Sequence, residues 1–234
     1  MERLDKLLSS YYSVSRTDAK KLMKKHCVRI NGEAVKNPDI KLDEISDTVT
    51  VDGEEIHFKK YIYIMMNKPK GVISASNDAK VTTVIDLLPE KFRRDGLFPA
   101  GRLDGDTTGF VLITDDGNFA HRILSPKNHI EKTYHALLEH PLSQDDISHF
   151  LSGIELKDGT LCLEAKVRMI QGNTAEVIIH EGKYHQVKRM FAALGNRVIE
   201  LKRVKMGNLP LDSSLNEGEC RELTQKEILM IEER

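Results

Sequence analysis

The stretch that decides the fold of this chain reads Pro99-Ala100-Gly101-Arg102-Leu103-Asp104-Gly105-Asp106-Thr107-Thr108-Gly109-Phe110-Val111-Leu112-Ile113-Thr114-Asp115-Asp116-Gly117. It places an opposite-charge pair, Arg102 and Asp104, in a turn flanked by glycines. The apolar and β-branched run that follows predicts a buried strand over 109–114, which a second Asp-Gly turn ends. A tight turn that leads into a buried strand can hold a carboxylate rigidly, so Asp104 is a candidate for chemistry.

Size and composition bound what the rest of the chain can be. The 234 residues fit one large domain or two smaller ones, and 40% hydrophobic with 30% charged residues is typical of folded, well-solvated domains. The net charge of −1 hides a local excess, because residues 1–30 carry eight basic and three acidic side chains. Such a basic segment indicates either a polyanion partner or only a solvated, lysine-rich helix face.

Cysteine usage and hydropathy indicate the compartment. Cys27, Cys162 and Cys220 are far apart and odd in number, so neither a disulfide framework nor a zinc site is indicated, and reduced thiols favour the cytoplasm. The first residues contain no apolar signal region, and the longest apolar run, 61–66, is far too short to span a bilayer. We therefore expect a cytoplasmic protein with no membrane partner.

Periodicity indicates a small first domain over residues 1–57. Leucines at helical spacing begin it, and Ser15 followed by Asp18 is typical of a capping box that starts a second helix. Short alternating segments at 27–32 and 48–53, each ending in an Asn-Gly or Asp-Gly turn, predict small strands. Residues 58–60 are the expected linker.

Residues 58–234 are expected to form a second domain of the α+β class. Strands are predicted at 61–67, 109–114, 130–138, 161–170, 174–180 and 197–206, and helices at 82–88, 117–124, 143–151, 184–194 and 224–233. Because strands and helices do not alternate strictly, a mixed, largely antiparallel sheet with flanking helices is better supported than a parallel, doubly wound sheet.

Two kinds of chemistry compete for the Asp104 turn on the residues alone. A calcium loop of the EF-hand type would use Asp104, Asp106, Thr108, Gly109 and Asp115. Its last position is Asp where a bidentate Glu belongs, and no amphipathic helix precedes it. A phosphatase nucleophile fits Asp104, Asp106 and Thr107, but that chemistry needs magnesium and a parallel strand, whereas 98–102 is a turn approach. Both interpretations are therefore disfavoured.

The same turn also belongs to a set of five ordered motifs. Gly101-Arg102-Leu103-Asp104 with Thr107-x-Gly109 and Thr114-x-Asp116-Gly117 is one of them, and the others are Asn67-Lys68-Pro69-Lys70-Gly71, Glu131-Lys132-Thr133-Tyr134, Glu181 to Phe191, and Leu201-x-Arg203-x-x-x-Gly207. Together they resemble the signature of the pseudouridine synthases, specifically the RsuA family that modifies ribosomal RNA. Residues 1–50 resemble the S4 RNA-binding domain of this family, so the resemblance covers nearly the whole chain.

The resemblance implies an activity and the residues that carry it. The chain would isomerise one uridine of ribosomal RNA, most closely that of the 16S small-subunit enzymes, with no cofactor and no metal. Asp104 would be the nucleophile at a ring or sugar carbon, Tyr134 would stack on the flipped-out base, and Lys188 or Arg189 would be the charge partner of Asp104. RNA contacts are expected from Arg102, Lys68, Arg203, Arg3, Arg16, Lys20, Lys21, Lys24 and Lys25.

Two alternatives remain beside this interpretation. The target uridine could belong to the large-subunit 23S rRNA, or the chain could be a catalytically silent RNA-binding assembly factor. The intact set of Asp104, Tyr134 and Lys188 with Arg189 argues against the silent factor. The expected partner is ribosomal RNA, naked or within a subunit assembly intermediate, and the expected oligomeric state is a monomer. The segment from Glu181 to Phe191 is called the late motif below. For His185, which lies within it next to the candidate charge partners, we expect a structural role.

Overall fold

A computed structural model of the chain describes residues 2–12, 14–43, 46–56, 59–128 and 130–233. It divides into two compact units, Met1–Ile62 and Tyr63–Arg234. The predicted domain boundary between residues 57 and 58, together with the first residue of the predicted linker, lies outside the described residues. Each unit has its own hydrophobic core and is described by itself.

The first unit contains two helices and a small sheet, as its periodicity predicts. In chain order its elements are β1 (Glu2–Arg3), α1 (Leu4–Tyr11), α2 (Arg16–Lys25), β2 (Val28–Ile30), β3 (Glu33–Ala34), β4 (Lys41–Leu42), β5 (Val49–Val51) and β6 (Glu54–Ile56). Helix α2 begins where Ser15 Oγ accepts the Asp18 amide hydrogen, at 3.2 Å. The sheet order is β3-β2-β5-β6, all antiparallel, and β1 pairs separately with β4.

The second unit is built on a nine-stranded sheet. Its strands are β7 (Tyr63–Lys68), β8 (Phe98–Ala100), β9 (Thr108–Thr114), β10 (Lys132–Leu138), β11 (Lys166–Gln171), β12 (Thr174–Ile179), β13 (Val198–Met206), β14 (Leu209–Pro210) and β15 (Cys220–Glu222). The main path runs β11-β12-β10-β13-β9-β7-β15, with β8 paired to β9 and β14 to β13. Among these pairings β13 with β9 is parallel and the rest are antiparallel, which confirms the predicted mixed, largely antiparallel sheet.

Helices flank this sheet close to the predicted positions. They are α3 (Gly117–Leu124), α4 (Gln144–Ser152), α5 (Gln186–Ala193) and α6 (Gln225–Glu232). Capping side chains fix the starts of α3, α4 and α6: Asp116 accepts the Phe119 amide hydrogen, and Ser143 and Thr224 each form a complete capping box. In the described part of the chain no helix combines the length and the apolar character needed to cross a bilayer.

Three local predictions of secondary structure are wrong. The predicted helix at 82–88 is a turn, because the Asp86 carboxylate accepts hydrogen bonds from both the amide and the hydroxyl of Thr83. The turn approach at 98–102 contains strand β8, which pairs with β9. The predicted strand at 161–170 begins only at Lys166, since Leu161 makes an isolated bridge to Glu155 instead.

The core of the second unit lies where the central strands meet the helices. Strands β7 and β9 are buried along almost their whole length, and residues of β9 pack with α3 and α6 in one apolar cluster. Elsewhere in this unit, the rings of Phe150 on α4 and Phe191 on α5 lie 4.9 Å apart. This contact anchors α5, the helix that carries the second half of the motif from Glu181 to Phe191.

Candidate active site

The turn that carries Asp104 connects β8 to β9 and is held by two buried cations. Arg203 Nη2 donates to the Gly101 carbonyl at 2.6 Å, and its Nε donates to the Phe110 carbonyl at 2.7 Å. Lys68 Nζ donates to the Thr107 carbonyl at 2.8 Å. Hydrogen bonds from charged donors are stronger than neutral ones, so these two side chains fix the backbone on both sides of Asp104.

Burial corrects the expectation that Lys68 and Arg203 contact RNA. The two side chains are 0% and 2% exposed, respectively. Removal from water lowers the pKa of Lys68 to about 8. Because both cations already donate to backbone carbonyls inside the unit, they support the turn and leave RNA contact to other residues.

A close approach of two strands sets the position of the turn. Gly109 begins the buried part of β9 with a φ of 97°, and a Cβ at this position would lie 2.3 Å from the Arg203 carbonyl oxygen. No side chain fits at that distance, so glycine is required here. The parallel pairing of β9 with β13 therefore brings Arg203 directly behind the Asp104 turn.

The Asp104 carboxylate lies close to two side chains of the late motif, Lys188 and His185. Lys188 Nζ donates to Asp104 Oδ2 at 3.0 Å and to Asp106 Oδ1 at 2.5 Å. His185 Nε2 lies 3.3 Å from Asp104 Oδ1. Burial opposes the charge of Lys188, but the hydrogen bonds to Asp106 and Asp104 outweigh it and raise the pKa of the ammonium. The same contact lowers the pKa of Asp106, so Lys188 and Asp106 form an ion pair at neutral pH.

Of the two cations that the sequence leaves open, the structure brings Lys188 and not Arg189 to Asp104. Arg189 Nη2 lies 2.5 Å from Asp158 Oδ2, and its Nη1 donates to the Tyr184 carbonyl at 3.3 Å. Successive residues on a helix point about 100° apart, so only one of the two can face the Asp104 turn. Arg189 instead holds the segment that precedes α5.

Asp104 is one of the residues that line an open, shallow cavity. Tyr134 lies in its wall and is 8% exposed, and Arg102 and His185 also line it. Thr107 lines it as well, and its hydroxyl is buried with no hydrogen-bond partner among the described residues. A buried polar atom without a partner is unfavourable, so this hydroxyl is a local cost of the turn.

Comparison with known proteins identifies the family. Residues 62–193 match the family described as RNA pseudouridylate synthase, and residues 2–49 match the S4 domain. The chain belongs to the RNA pseudouridylate synthase family. Both the family resemblance and the enzyme class inferred from the five motifs are thereby confirmed.

Sequence matches to individual proteins extend over nearly the whole synthase. It is 44% identical to the RNA pseudouridine synthase YtzG of Bacillus subtilis, over 99% of this chain and 98% of the relative. It is 45% identical to ribosomal small subunit pseudouridine synthase A of Yersinia pestis, over 98% and 97% of the two chains. A solved structure described as a pseudouridylate synthase shares 39% identity with a TM-score of 0.69, over 99% of this chain and all of the other.

The predicted RNA-contacting cations of the synthase differ in whether they already have partners. In the catalytic unit, Arg102 is exposed at the cavity and makes no hydrogen bond or ion pair with the described residues. In the S4 domain, Arg3 pairs with Asp5 and Asp39, Lys20 lies 3.7 Å from Asp5, and Lys21 lies 2.9 Å from Asp18. No such bond to a described residue is made by Arg16, Lys24 and Lys25, which are exposed.

Two residues that lie close to Asp104 or share its partner were not among the predicted site residues of the synthase. His185 was expected to be structural, yet it approaches Asp104 as closely as 3.3 Å. Asp106 was considered only for metal chemistry, yet it shares Lys188 with Asp104. The signal that could have found both is proximity in the motifs, since each lies within three residues of a predicted site residue.

Proposed function

We propose that this synthase converts one uridine of the small-subunit 16S ribosomal RNA to pseudouridine. The observation that carries the proposal is Asp104, a carboxylate 26% exposed at an open cavity, paired with Lys188 and close to the buried ring of Tyr134. Relatives named for the small ribosomal subunit match nearly the full length, and this supports the 16S target. The S4 domain, with the local basic excess in residues 1–30, supports RNA as the substrate.

The reaction needs few parts. The bond from uracil N1 to the ribose breaks, the base turns, and a bond from C5 to the same ribose carbon forms. C5 loses a proton and N1 gains one, so the product contains the same atoms as the substrate. Nothing is oxidised or hydrolysed. A nucleophile, a cation that keeps it charged, and a pocket that retains the free base are sufficient.

In the proposed mechanism Asp104 attacks an electron-poor ring or sugar carbon of the target nucleotide, and the bond it forms breaks again before release, which regenerates the carboxylate. Lys188 orients the carboxylate through its hydrogen bond to Asp104, while Asp106 holds Lys188 from the other side. Tyr134 stacks on the flipped-out uracil and replaces the stacking that the base loses on leaving the RNA.

RNA binding is proposed for the cations that lack protein partners. Arg102 would bind a phosphate next to the target nucleotide at the cavity. Arg16, Lys24 and Lys25 would bind the RNA backbone through the S4 domain, without reading its sequence. We propose that the synthase works as a monomer in the cytoplasm, on ribosomal RNA within a subunit assembly intermediate.

The test is to map pseudouridines in ribosomal RNA from cells with the gene, without it, and with the Asp104→Asn variant. The expected result is one 16S site that disappears in the last two strains. The purified synthase should restore it on 16S RNA or on a small-subunit intermediate. Loss of a 23S site instead would move the target to the large subunit. An unchanged map would support the silent assembly factor.

A further inference from the structure

Two stacked aromatic rings lie beside the candidate active site. The ring of Tyr184 stacks on the ring of His185 with centroids 3.8 Å apart and planes at 19°. His185 is the side chain whose Nε2 lies 3.3 Å from Asp104 Oδ1, and it lines the cavity. Tyr184 itself is 75% exposed. A flat aromatic surface is therefore presented to solvent one residue away from a group that contacts Asp104.

The backbone that carries this pair is held in an uncommon conformation. His185 has a φ of 48°, in the left-handed region that residues other than glycine seldom occupy. Such conformations persist only where the surroundings enforce them, and they concentrate at functional sites. Here the left-handed residue begins α5, so it turns the chain between Tyr184 and the helix that carries Lys188.

Buried polar side chains keep the segment from 181 to 186 in place. Glu181 and Gln186 are 6% and 4% exposed, and Gln186 Nε2 donates to Glu181 Oε1 at 2.8 Å. Gln186 Oε1 accepts the Lys183 amide hydrogen at 2.9 Å, and Arg189 binds the Tyr184 carbonyl. The Tyr184 ring is thus exposed on a rigid support, and a ligand that stacks on it orders little further protein.

We propose that Tyr184 is a stacking platform for the nucleobase next to the target uridine in the RNA chain. The inference rests on the proposed function. When the target base leaves the RNA stack, its neighbour loses a stacking partner, and an aromatic face can replace it without reading the sequence. His185 covers one face of the Tyr184 ring, and the 75% exposure leaves the other face open.

The test combines a protein variant with an altered RNA. Binding and single-turnover rates are measured for the wild type, Tyr184→Ala and Tyr184→Phe, on an RNA fragment that contains the mapped target uridine. Matching fragments carry an abasic nucleotide on the 5′ or on the 3′ side of that uridine. Leu229→Ala is the control, because Leu229 is 51% exposed on α6 and does not line the cavity.

The platform predicts a specific pattern. Tyr184→Ala should weaken RNA binding by roughly 5- to 150-fold, whereas Tyr184→Phe and Leu229→Ala should bind within about threefold of the wild type. One of the two abasic fragments should bind the wild type more weakly by a similar factor, and it should not weaken binding to Tyr184→Ala further. The rate at saturating RNA should change by less than about threefold in Tyr184→Ala, because the ring does not contact Asp104.

Two results would overturn the platform. One is wild-type affinity in Tyr184→Ala. The other is an abasic penalty that is the same in the wild type and in Tyr184→Ala, which would mean that the ring only supports His185. Absence of pseudouridine after incubation with the wild type would instead contradict the proposed function, and the binding comparison would still decide whether Tyr184 contacts the neighbouring base.

Discussion

Basic side chains lie behind the Asp104 turn and on helix α2, and their environments in the two places are opposite. Behind the turn, Lys68 and Arg203 are almost completely buried and donate to backbone carbonyls. On α2, Lys24 and Lys25 are exposed and have no partner among the described residues. A basic residue of a motif is therefore available to an RNA phosphate only where no protein group already binds its charge. Partners, and not residue type, decide between support and binding.

The largest effect is expected from the anion around which the catalytic turn is arranged. Asp104→Asn keeps the shape of the side chain and removes its charge. Pseudouridine formation should fall at least about 1,000-fold, since a neutral amide cannot act as the nucleophile. Unfolding and RNA-binding measurements should resemble those of the wild type. Turnover within tenfold of the wild type would show that the turn serves something other than catalysis.

A matched pair of arginines tests support against binding directly. Arg203→Met should lower the free energy of unfolding by about 2–4 kcal/mol, because buried carbonyls of the turn lose their donors. Arg102→Met should change stability by less than about 0.5 kcal/mol and weaken RNA binding instead. Urea denaturation and RNA titration of both variants make the comparison. Equal stabilities would mean that Arg203 is not a structural support.

A third prediction concerns pH and the buried Lys132, a second lysine of the interior. Burial, together with the nearby charge of Arg203, lowers its pKa to about 8 in the folded chain, against about 10.5 in the unfolded chain. Between these values the unfolded chain binds the extra proton, so the free energy of unfolding should rise with pH. Below pH 8 the burial penalty is fully present.

The measurement compares Lys132→Met with the wild type at several pH values. The variant lacks the penalty, so it should be more stable at pH 7 by roughly 2–3 kcal/mol. Its advantage should shrink between pH 8 and pH 10. A stability difference that does not depend on pH in this range would mean that folding does not lower the pKa of Lys132.

Tyr134 tests whether a buried ring at the cavity serves the ligand or the fold. Tyr134→Phe keeps the aromatic face and should keep RNA affinity, whereas Tyr134→Ala should lose roughly 1–3 kcal/mol of binding free energy. Affinities for an RNA that contains the target uridine provide the measurement. Equal and mild losses in both variants would assign Tyr134 to the sheet alone.

The smallest effect separates free from paired lysines on α2. Lys24→Gln with Lys25→Gln should reduce the slope of log affinity against log salt by roughly 0.7–0.9 for each lost phosphate contact. Lys20→Gln with Lys21→Gln should change it less, because those two lysines already lie next to Asp5, Asp39 and Asp18. A larger change of the slope in Lys20→Gln with Lys21→Gln would mean that the paired lysines contact the RNA more than the free ones do.

The sequence predicts the parts of this structure that local patterns control. The apolar run at 109–114, the capped helices and the order of the motifs give the sheet class, the helices and the family. The choice between Lys188 and Arg189 depends on the rotation of α5, which Phe150 helps to set from another helix. The burial of Arg203 depends on its pairing with Gly109 across the sheet. Local patterns do not contain such long-range contacts.

The pairing of β13 with β9 has a consequence for the moment at which the enzyme becomes complete. The Asp104 turn is synthesised early, but the residues that hold it from behind and from in front, Arg203 and Lys188, come much later in the chain. A nascent polypeptide that ends before α5 can fold its first domain, as early domains usually do during translation. It would lack both Lys188 and Arg203, the two side chains that hold the turn. Competence for catalysis should therefore arise only near the end of synthesis, when RNA binding through the first domain is already available.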